Sequence, residues 1–482
     1  MNDFYSLDSI LEEMIFARKD KPMAYKRYSK LLISGRHEPV VDFTMKSMIM
    51  CFLPNGVPEE ELIFRDPSAV SSFFLNLCRD YPWIVGRELT HADATRRYRM
   101  ALIMRSLFSL KKSLPTINVC KELFAEPVAP IWRSFLALMS DPEPDVRIVC
   151  LQTVEVLLKT QIDEQIVSDL IASLSKRLRD VERLIRCEST LVVDHCHRLE
   201  AIVDRNLMRH FVARIGDQSL DVRKRALVGV SNVFHTIHRK YHKTEQYFFY
   251  KLSTACLLRY TITDIEEEKA FIEMIFVINL LDTKSGSAVK MANLLELICL
   301  CDDCGVQSIS QVFRNQFKLR TLFAKLIYCT ERHHFNTSIV KANHKVYKSL
   351  EKAFDYIDGS DDVLKNFHLL LKDYDKQGLD ELKCVFETKT ALDCRQSVAA
   401  IEKLFECQHN SVPNEPLIAL KDEIMCRLGV GLMDTNAISE LFGLMDAWSG
   451  QYSQRLASFV VILSKCYSHY FADHSVICDE LL

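Results

Sequence analysis

The chain has 482 residues, 48% of them hydrophobic and 26% charged, with a formal net charge of −3, the composition of a soluble, well-cored protein. It contains no run of about 18 uncharged apolar residues, which argues against a membrane span. Its opening stretch, MNDFYSLDSILEEMIFARKDK, is acidic and amphipathic and reads as neither a signal peptide nor an arginine-rich transit peptide.

Glycine and proline number only 13 each, so strand and loop punctuation is sparse and helix is expected throughout. Residues 1–85 read as helices broken by SGRHEP (34–39) and LPNGVPEE (53–60), a degenerate N-terminal helical cap. Residues 86–243 carry the strongest signal. Asp93, Asp141, Asp180 and Asp217 are each followed six residues later by an arginine: Arg99, Arg147, Arg186 and Arg223. The intervals between the aspartates are 48, 39 and 37 residues. A unit of about 40 residues built from two helices is the signature of a HEAT-type solenoid. Each aspartate falls in a turn, where it caps the following helix, and each arginine is expected beside a neighbouring repeat's aspartate. Apolar stripes frame the turns, with Val167, Leu170, Ile171, Leu174 and Leu178 before Asp180. After Asp217 come Val222, Ala226, Leu227, Val230, Val233, Phe234 and Ile237. The fold class expected is therefore all-α, a HEAT-repeat α-solenoid forming a right-handed superhelix of stacked hairpins. Residues 244–482 read as divergent HEAT-like repeats, with breaks at DTKSGS (282–287), DGSDD (358–362) and HNSVPNEP (409–416).

Seventeen cysteines, several on apolar helix faces (Cys150, Cys187, Cys196, Cys256), fit a reducing compartment, cytoplasm or nucleus. Charge is uneven: residues 173–243 hold 15 Lys and Arg against 8 Asp and Glu, a local +7 that favours acidic partners. Some of these arginines are already assigned to the repeat.

No phosphate-binding loop, HExxH or GxSxG stands in the sequence. Cys301 and Cys304 form a CxxC without a second pair at zinc-ribbon distance. Asp194, His195, Cys196 and His197 are consecutive, so on a helix they point to different faces and do not converge on one ion. His333 and His334 read as a polar turn. Neither a metal, nor a cofactor, nor a catalytic site is expected, and the chain is read as a binding protein rather than an enzyme. Lys224, Val228, Ser231, His235 and His238 recur at helical spacing opposite the apolar stripe and are expected to form an exposed face, continued by Arg239 and Lys240.

The stretches IWRSFLALMSDPEPDVRIVCLQTVEVLL, SLSKRLRDVERLIRCESTLVV and MRHFVARIGDQSLDVRKRALVGVSNVF, in this order, resemble the cohesin regulator family called precocious dissociation of sisters. The VRK-x-A-x-x-G core of its third repeat matches Val222, Arg223, Lys224, Ala226 and Gly229. Further similarity runs through LLRYTITDIEEEKAFIEMIF and QVFRNQFKLRTLFAKLI. The resemblance implies a non-enzymatic nuclear protein that binds the kleisin subunit of cohesin and controls maintenance and release of sister chromatid cohesion. It also implies contact with a Wapl-type release factor and the cohesin acetyltransferase, an indirect link to chromatin and, in some members, a bound inositol polyphosphate. Members are commonly longer and end in a basic tail. For kleisin contact the resemblance points to Lys224, Arg225, His235, His238 and Arg239, with Phe234 flanking, although the helical wheel turns Phe234 toward the core. The competing readings are a HEAT subunit of another SMC complex, which binds duplex DNA with a steep salt dependence, and a nuclear transport adaptor.

Overall fold

The computed structural model describes residues 40–42, 44–46, 48, 67–109, 129–159, 164–198, 204–240, 246–282, 286–332, 338–357, 360–387, 393–406, 414–445 and 449–474. Most of the expected N-terminal cap and parts of the three expected breaks lie outside these residues. All regular structure among the described residues is helical. The chain divides into two compact units, Met1–Arg214 and Ile215–Leu482, so the division falls inside the run of regular repeats.

The first unit contains α1 (Pro67–Asp80), α2 (Pro82–Leu89), α3 (Ala94–Ser109), α4 (Ala129–Leu138), α5 (Pro144–Leu158), α6 (Glu164–Arg177), α7 (Arg183–Arg198) and α8 (Arg205–Val212). Local chemistry sets several boundaries. Pro82 and Pro144 open α2 and α5, where a missing N–H costs nothing. Asp204 caps α8 by accepting the Leu207 N–H at 2.6 Å. The second helices of successive hairpins stack, α3 on α5 and α5 on α7. They bury Met100, Met104, Leu107, Cys150, Leu151, Val154, Ile185, Val192 and Cys196.

The Asp/Arg ladder is present, with one change of register. Arg147 Nη2 donates to Asp180 Oδ1 of the next hairpin at 2.9 Å, both side chains buried. Arg147 Nη1 also closes its own turn on the Asp141 carbonyl at 2.6 Å, as Arg186 does on Asp180 and Arg223 on Asp217, each at 2.9 Å. Asp141, Asp180 and Asp217 each accept the N–H two residues on, at 2.9–3.0 Å. The first copy departs from the expected Asp93/Arg99. Arg97, not Arg99, reaches Asp141, through Nε at 2.6 Å and Nη2 at 2.8 Å. Arg97 closes its turn on the His91 carbonyl at 2.7 Å, and His91 Nδ1 accepts the Asp93 N–H at 3.0 Å. His91 therefore occupies the aspartate position. Asp93 caps Thr95 at 2.9 Å, and Arg99 pairs with Asp42 at 2.6 Å. A neutral imidazole nitrogen accepts one hydrogen bond as a carboxylate oxygen does, so the turn survives the replacement.

The second unit contains α9 (Leu220–Lys240), α10 (Gln246–Ile262), α11 (Glu266–Ile275), a π-helical turn (Phe276–Leu280), α12 (Ser287–Leu300), α13 (Asp303–Arg332), α14 (Ser338–Phe354), α15 (Ser360–Asp373), α16 (Lys376–Glu387), α17 (Cys394–Glu406), α18 (Asn414–Arg427), α19 (Thr435–Met445) and α20 (Ser449–Cys466). The 30-residue α13 is its axis. Phe323 of that helix stands 5.5–5.9 Å from Phe354, Phe367 and Phe386, and Phe313 stands 5.6–6.3 Å from Phe276, Phe459 and Tyr467. These ring pairs join α13 to five other helices or turns. Simple repeats contact only their neighbours, whereas here α18 packs back on α11 and α19 on α12. The turn after α18 permits this return. Gly429 and Gly431 adopt φ of 60° and 76°, a region costly for other residues, and Gly431 offers its carbonyl to the buried Lys290 Nζ at 3.1 Å.

Candidate functional site

The sequence places its candidate partner-binding residues on α9, and the second unit fixes that helix against α11. Arg223 donates to Glu268 through Nε at 2.6 Å and Nη2 at 3.1 Å. Glu268 also accepts from Arg259 Nε at 2.8 Å and Thr263 Oγ1 at 2.6 Å. Thr263 in turn accepts the Ile265 N–H at 3.2 Å. This fifth turn thus splits the aspartate's two tasks. Thr263 caps the turn, and Glu268 supplies the carboxylate for the arginine.

Burial opposes ionisation of Glu268, but hydrogen bonds from Arg259, Arg223 and Thr263 outweigh it and hold the carboxyl at about 2. A carboxylate whose folded value lies below its unfolded value of 4.5 adds stability that is present above pH 4.5. That stability is lost as pH falls toward 2, and for this fully buried group it amounts to roughly 3 kcal/mol. Urea unfolding between pH 6 and about pH 2 should therefore show a falling midpoint that Glu268→Gln flattens. An unchanged acid limb in that variant would refute the assignment.

The candidate face is rotated relative to the expectation. Lys224 lies half-buried against α11, its ammonium paired with Glu267 and 5.4 Å from the centre of the Phe271 ring. Ser231 is fully buried. The outward stripe is Asp221, Arg225, Val228, Asn232 and His235, with Asp221 and Arg225 exposed and the others half-buried. It keeps Val228 and His235 of the expected face but has Arg225 and Asn232 where Lys224 and Ser231 were expected, a rotation of about 60° of helix. The physical reason is α11 and its π-helical turn, which pack along one side of α9. Asn279 of that turn donates to Asn232 Oδ1 at 2.8 Å. Phe234 is 3% exposed, so the periodicity placed it correctly and it packs in the core. His238 and Arg239 belong to the last turn of α9, and their side chains lie outside the described residues. Glu267 and Phe271, which form the second wall of this face, were missed in the sequence. The run Glu266-Glu267-Glu268 after Ile265 was the available signal.

Other chemistry-bearing residues have structural partners. His195 Nδ1 lies 2.8 Å from Glu155 Oε1, which also binds Lys159, so it links α7 to α5. Cys301 is buried 3.4 Å from Ser253 Oγ, while Cys304 is exposed. Burial pushes the Cys196 and Cys256 thiols up to about 12, which disfavours the reactive thiolate. Among the described residues no group of three or more His, Cys, Asp or Glu side chains is placed to hold a metal ion, and no helix is long and apolar enough to cross a membrane. His333, His334 and the His197 side chain lie outside the described residues. A cleft between α13 and α20 is lined by Val306, Gln307, Ser310, Phe459 and Ile462. Its Arg455 is committed to the carbonyls of Cys299 and Cys301, at 3.1 and 2.9 Å, and to Asp303 at 2.6 Å.

Three findings from known proteins bear on this arrangement. The family model for the sister chromatid cohesion protein PDS5 matches residues 84–482. Sister chromatid cohesion protein PDS5 homolog A of Danio rerio is 23% identical over 365 residues, which are 74% of this chain and 26% of that protein. The chain therefore spans about a quarter of the length of this curated relative. A solved chain from the Pds5–Scc1 complex superposes with a TM-score of 0.63 at 12% identity, covering 86% of this chain and 63% of that one. This last likeness is one of fold.

Proposed function

Since the chain belongs to the PDS5 family of sister chromatid cohesion proteins, we propose that it is a non-enzymatic regulator of cohesin that binds the kleisin subunit and acts in the nucleus on maintenance and release of cohesion. The observation that carries the reading is the family match over residues 84–482. The fold shared with a Pds5 chain solved together with Scc1 supports it. Contact with a Wapl-type release factor and with the acetyltransferase belongs to the same proposal.

For the kleisin we assign the outward stripe of α9, centred on the exposed Arg225 and bordered by His235 and the Lys224–Glu267 pair. Ion-pairing Lys224 to Glu267 leaves Arg225 as the principal cation of the face, and Phe271 beside them supplies apolar surface. A kleisin segment that pairs an acidic residue with an apolar one suits this mixture. Titration calorimetry with overlapping kleisin peptides should show saturable binding. Arg225→Glu, at an exposed position, with His235→Glu, at a half-buried one, should weaken it by about 1–3 kcal/mol, and the melting temperature checks that the variant folds. Equal affinity in the double variant would remove the site from α9.

A further inference from the structure

The positively charged segment 173–243 is only partly explained by the ladder and the α9 face. Arg177 and Arg147 converge on Asp180, Arg186 closes its turn, Arg223 binds Glu268, and Lys224 pairs with Glu267. The first unit also carries positive side chains at the α6–α7 turn and at the end of α8, and α8 packs on α6. The charges acting on the His210 imidazole are Arg179, Arg209 and Arg214, all positive. Burial and these three guanidinium groups hold His210 below the ordinary histidine value. A helix C-terminus favours cations, which accounts for Arg209 and His210 at the end of α8. It does not account for Arg179, which comes from the neighbouring hairpin.

The same turn exposes apolar surface. Val181 is 88% exposed, the largest value for any large hydrophobic residue among those described, and Leu184 in the first turn of α7 is 58% exposed. Arg179 and Arg183 flank Val181 on exposed positions, and Arg209 is exposed on α8. Of the two acids beside Val181, Asp180 is buried and taken up by Arg147 and Arg177, while Glu182 is exposed. Holding like charges together while leaving two aliphatic side chains in water is unfavourable for the chain alone, and both costs fall when an acidic, partly aliphatic surface covers them.

We propose that this surface, formed by Arg179, Val181, Leu184, Arg209 and His210, docks a peptide segment in which acidic side chains adjoin an aliphatic anchor. The mixture favours a peptide over nucleic acid. A phosphate backbone satisfies the arginines but offers nothing to Val181 and Leu184, and single strands are held by stacking on exposed aromatic rings, which this cluster lacks. The surface is built from residues other than those of the α9 stripe and does not depend on its assignment.

The test is fluorescence anisotropy of the full chain with three labelled probes: a peptide of alternating Glu and Leu, a Glu-only peptide of equal length, and a short DNA duplex. The Glu/Leu peptide should bind saturably and most tightly. Arg179→Glu with Arg209→Glu should weaken it about tenfold or more, and Val181→Ser with Leu184→Ser about fivefold. All four changes are at exposed positions, and unchanged melting temperatures check that the variants fold. Arg225→Glu, on α9, should leave unaltered the binding that the Arg179→Glu/Arg209→Glu variant loses, so loss of kleisin binding and loss of this site are separable. Tighter binding of the duplex, indifferent to Val181 and Leu184, would overturn the proposal in favour of a nucleic-acid surface. Absence of saturable binding by the Glu/Leu peptide would overturn it outright.

Discussion

Arg427→Ala is expected to destabilise the chain by about 3–5 kcal/mol, the cost of leaving a buried carboxylate without its partner. Arg427 and Glu273 are both fully buried and joined through Nε at 2.8 Å. The guanidinium also reaches Glu266 at 3.1 Å and the Ala353 carbonyl, and it lies 5.3 Å from the Phe354 ring and 5.9 Å from Tyr356. Glu273 in turn accepts from Tyr260 at 2.5 Å and Asn315 at 2.7 Å. One arginine thus links α18 to α11 and α14, and the carboxylate it holds links α10 and α13. Burial opposes the charge on Arg427, but Glu273 and its neighbours raise the pKa above the ordinary arginine value, so the side chain stays charged. Truncation strands Glu273 and removes packing at once. Urea unfolding of Arg427→Ala beside Arg427→Met/Glu273→Leu separates these costs, because removing both charges should recover much of the loss. A cost below about 1 kcal/mol for Arg427→Ala would show that water reaches the node.

Asp180→Ala carries the second large effect, about 3 kcal/mol, the lower end of the range for breaking a buried ion pair. Asp180 accepts from Arg147 of the preceding hairpin, from Arg177, and from the Glu182 N–H at the start of its own second helix. Its loss strands two guanidinium groups, Arg147 and Arg177, each of which already has a buried Nε without a hydrogen-bond partner. The control is Asp93→Ala. Asp93 caps an exposed turn and sits outside the ladder, so its loss should cost about 1 kcal/mol or less. Equal costs at the two positions, measured by the shift in urea midpoint, would contradict the ladder register described above.

The parts of the fold that were legible in the sequence are those encoded within one hairpin. Asp141/Arg147, Asp180/Arg186 and Asp217/Arg223 repeat at fixed spacing because each arginine closes the turn its own aspartate caps, and that geometry needs no knowledge of the neighbour. The first copy misled because Asp93/Arg99 matches the spacing by coincidence, while His91/Arg97 does the work with a different acceptor. At the fifth turn the acceptor and the carboxylate sit on two residues, Thr263 and Glu268, so no single spacing marks them. The exposed side of α9 was read about 60° out of register for a related reason. A helical wheel separates core from non-core but cannot say which non-core side α11 will cover, and α11 covers Lys224. Phe234 was read two ways, as flanking the kleisin by the resemblance and as core by the wheel, and its burial agrees with the wheel. The return of α18 onto α11 had no local signal, since Arg427 and Glu273 are 154 residues apart and each looks like an ordinary surface charge.

The chain belongs to the PDS5 family, and the proposed function has it hold the kleisin on α9. Hydrogen–deuterium exchange of the full chain, alone and with the intact cohesin kleisin, reads both the binding and its place. Slowed exchange concentrated in α9 and the first turn of α11, and lost in the Arg225→Glu/His235→Glu variant, is the predicted result. No slowing anywhere would contradict kleisin binding itself. Slowing confined to other helices, unchanged in the variant, would keep the partner and refute the site.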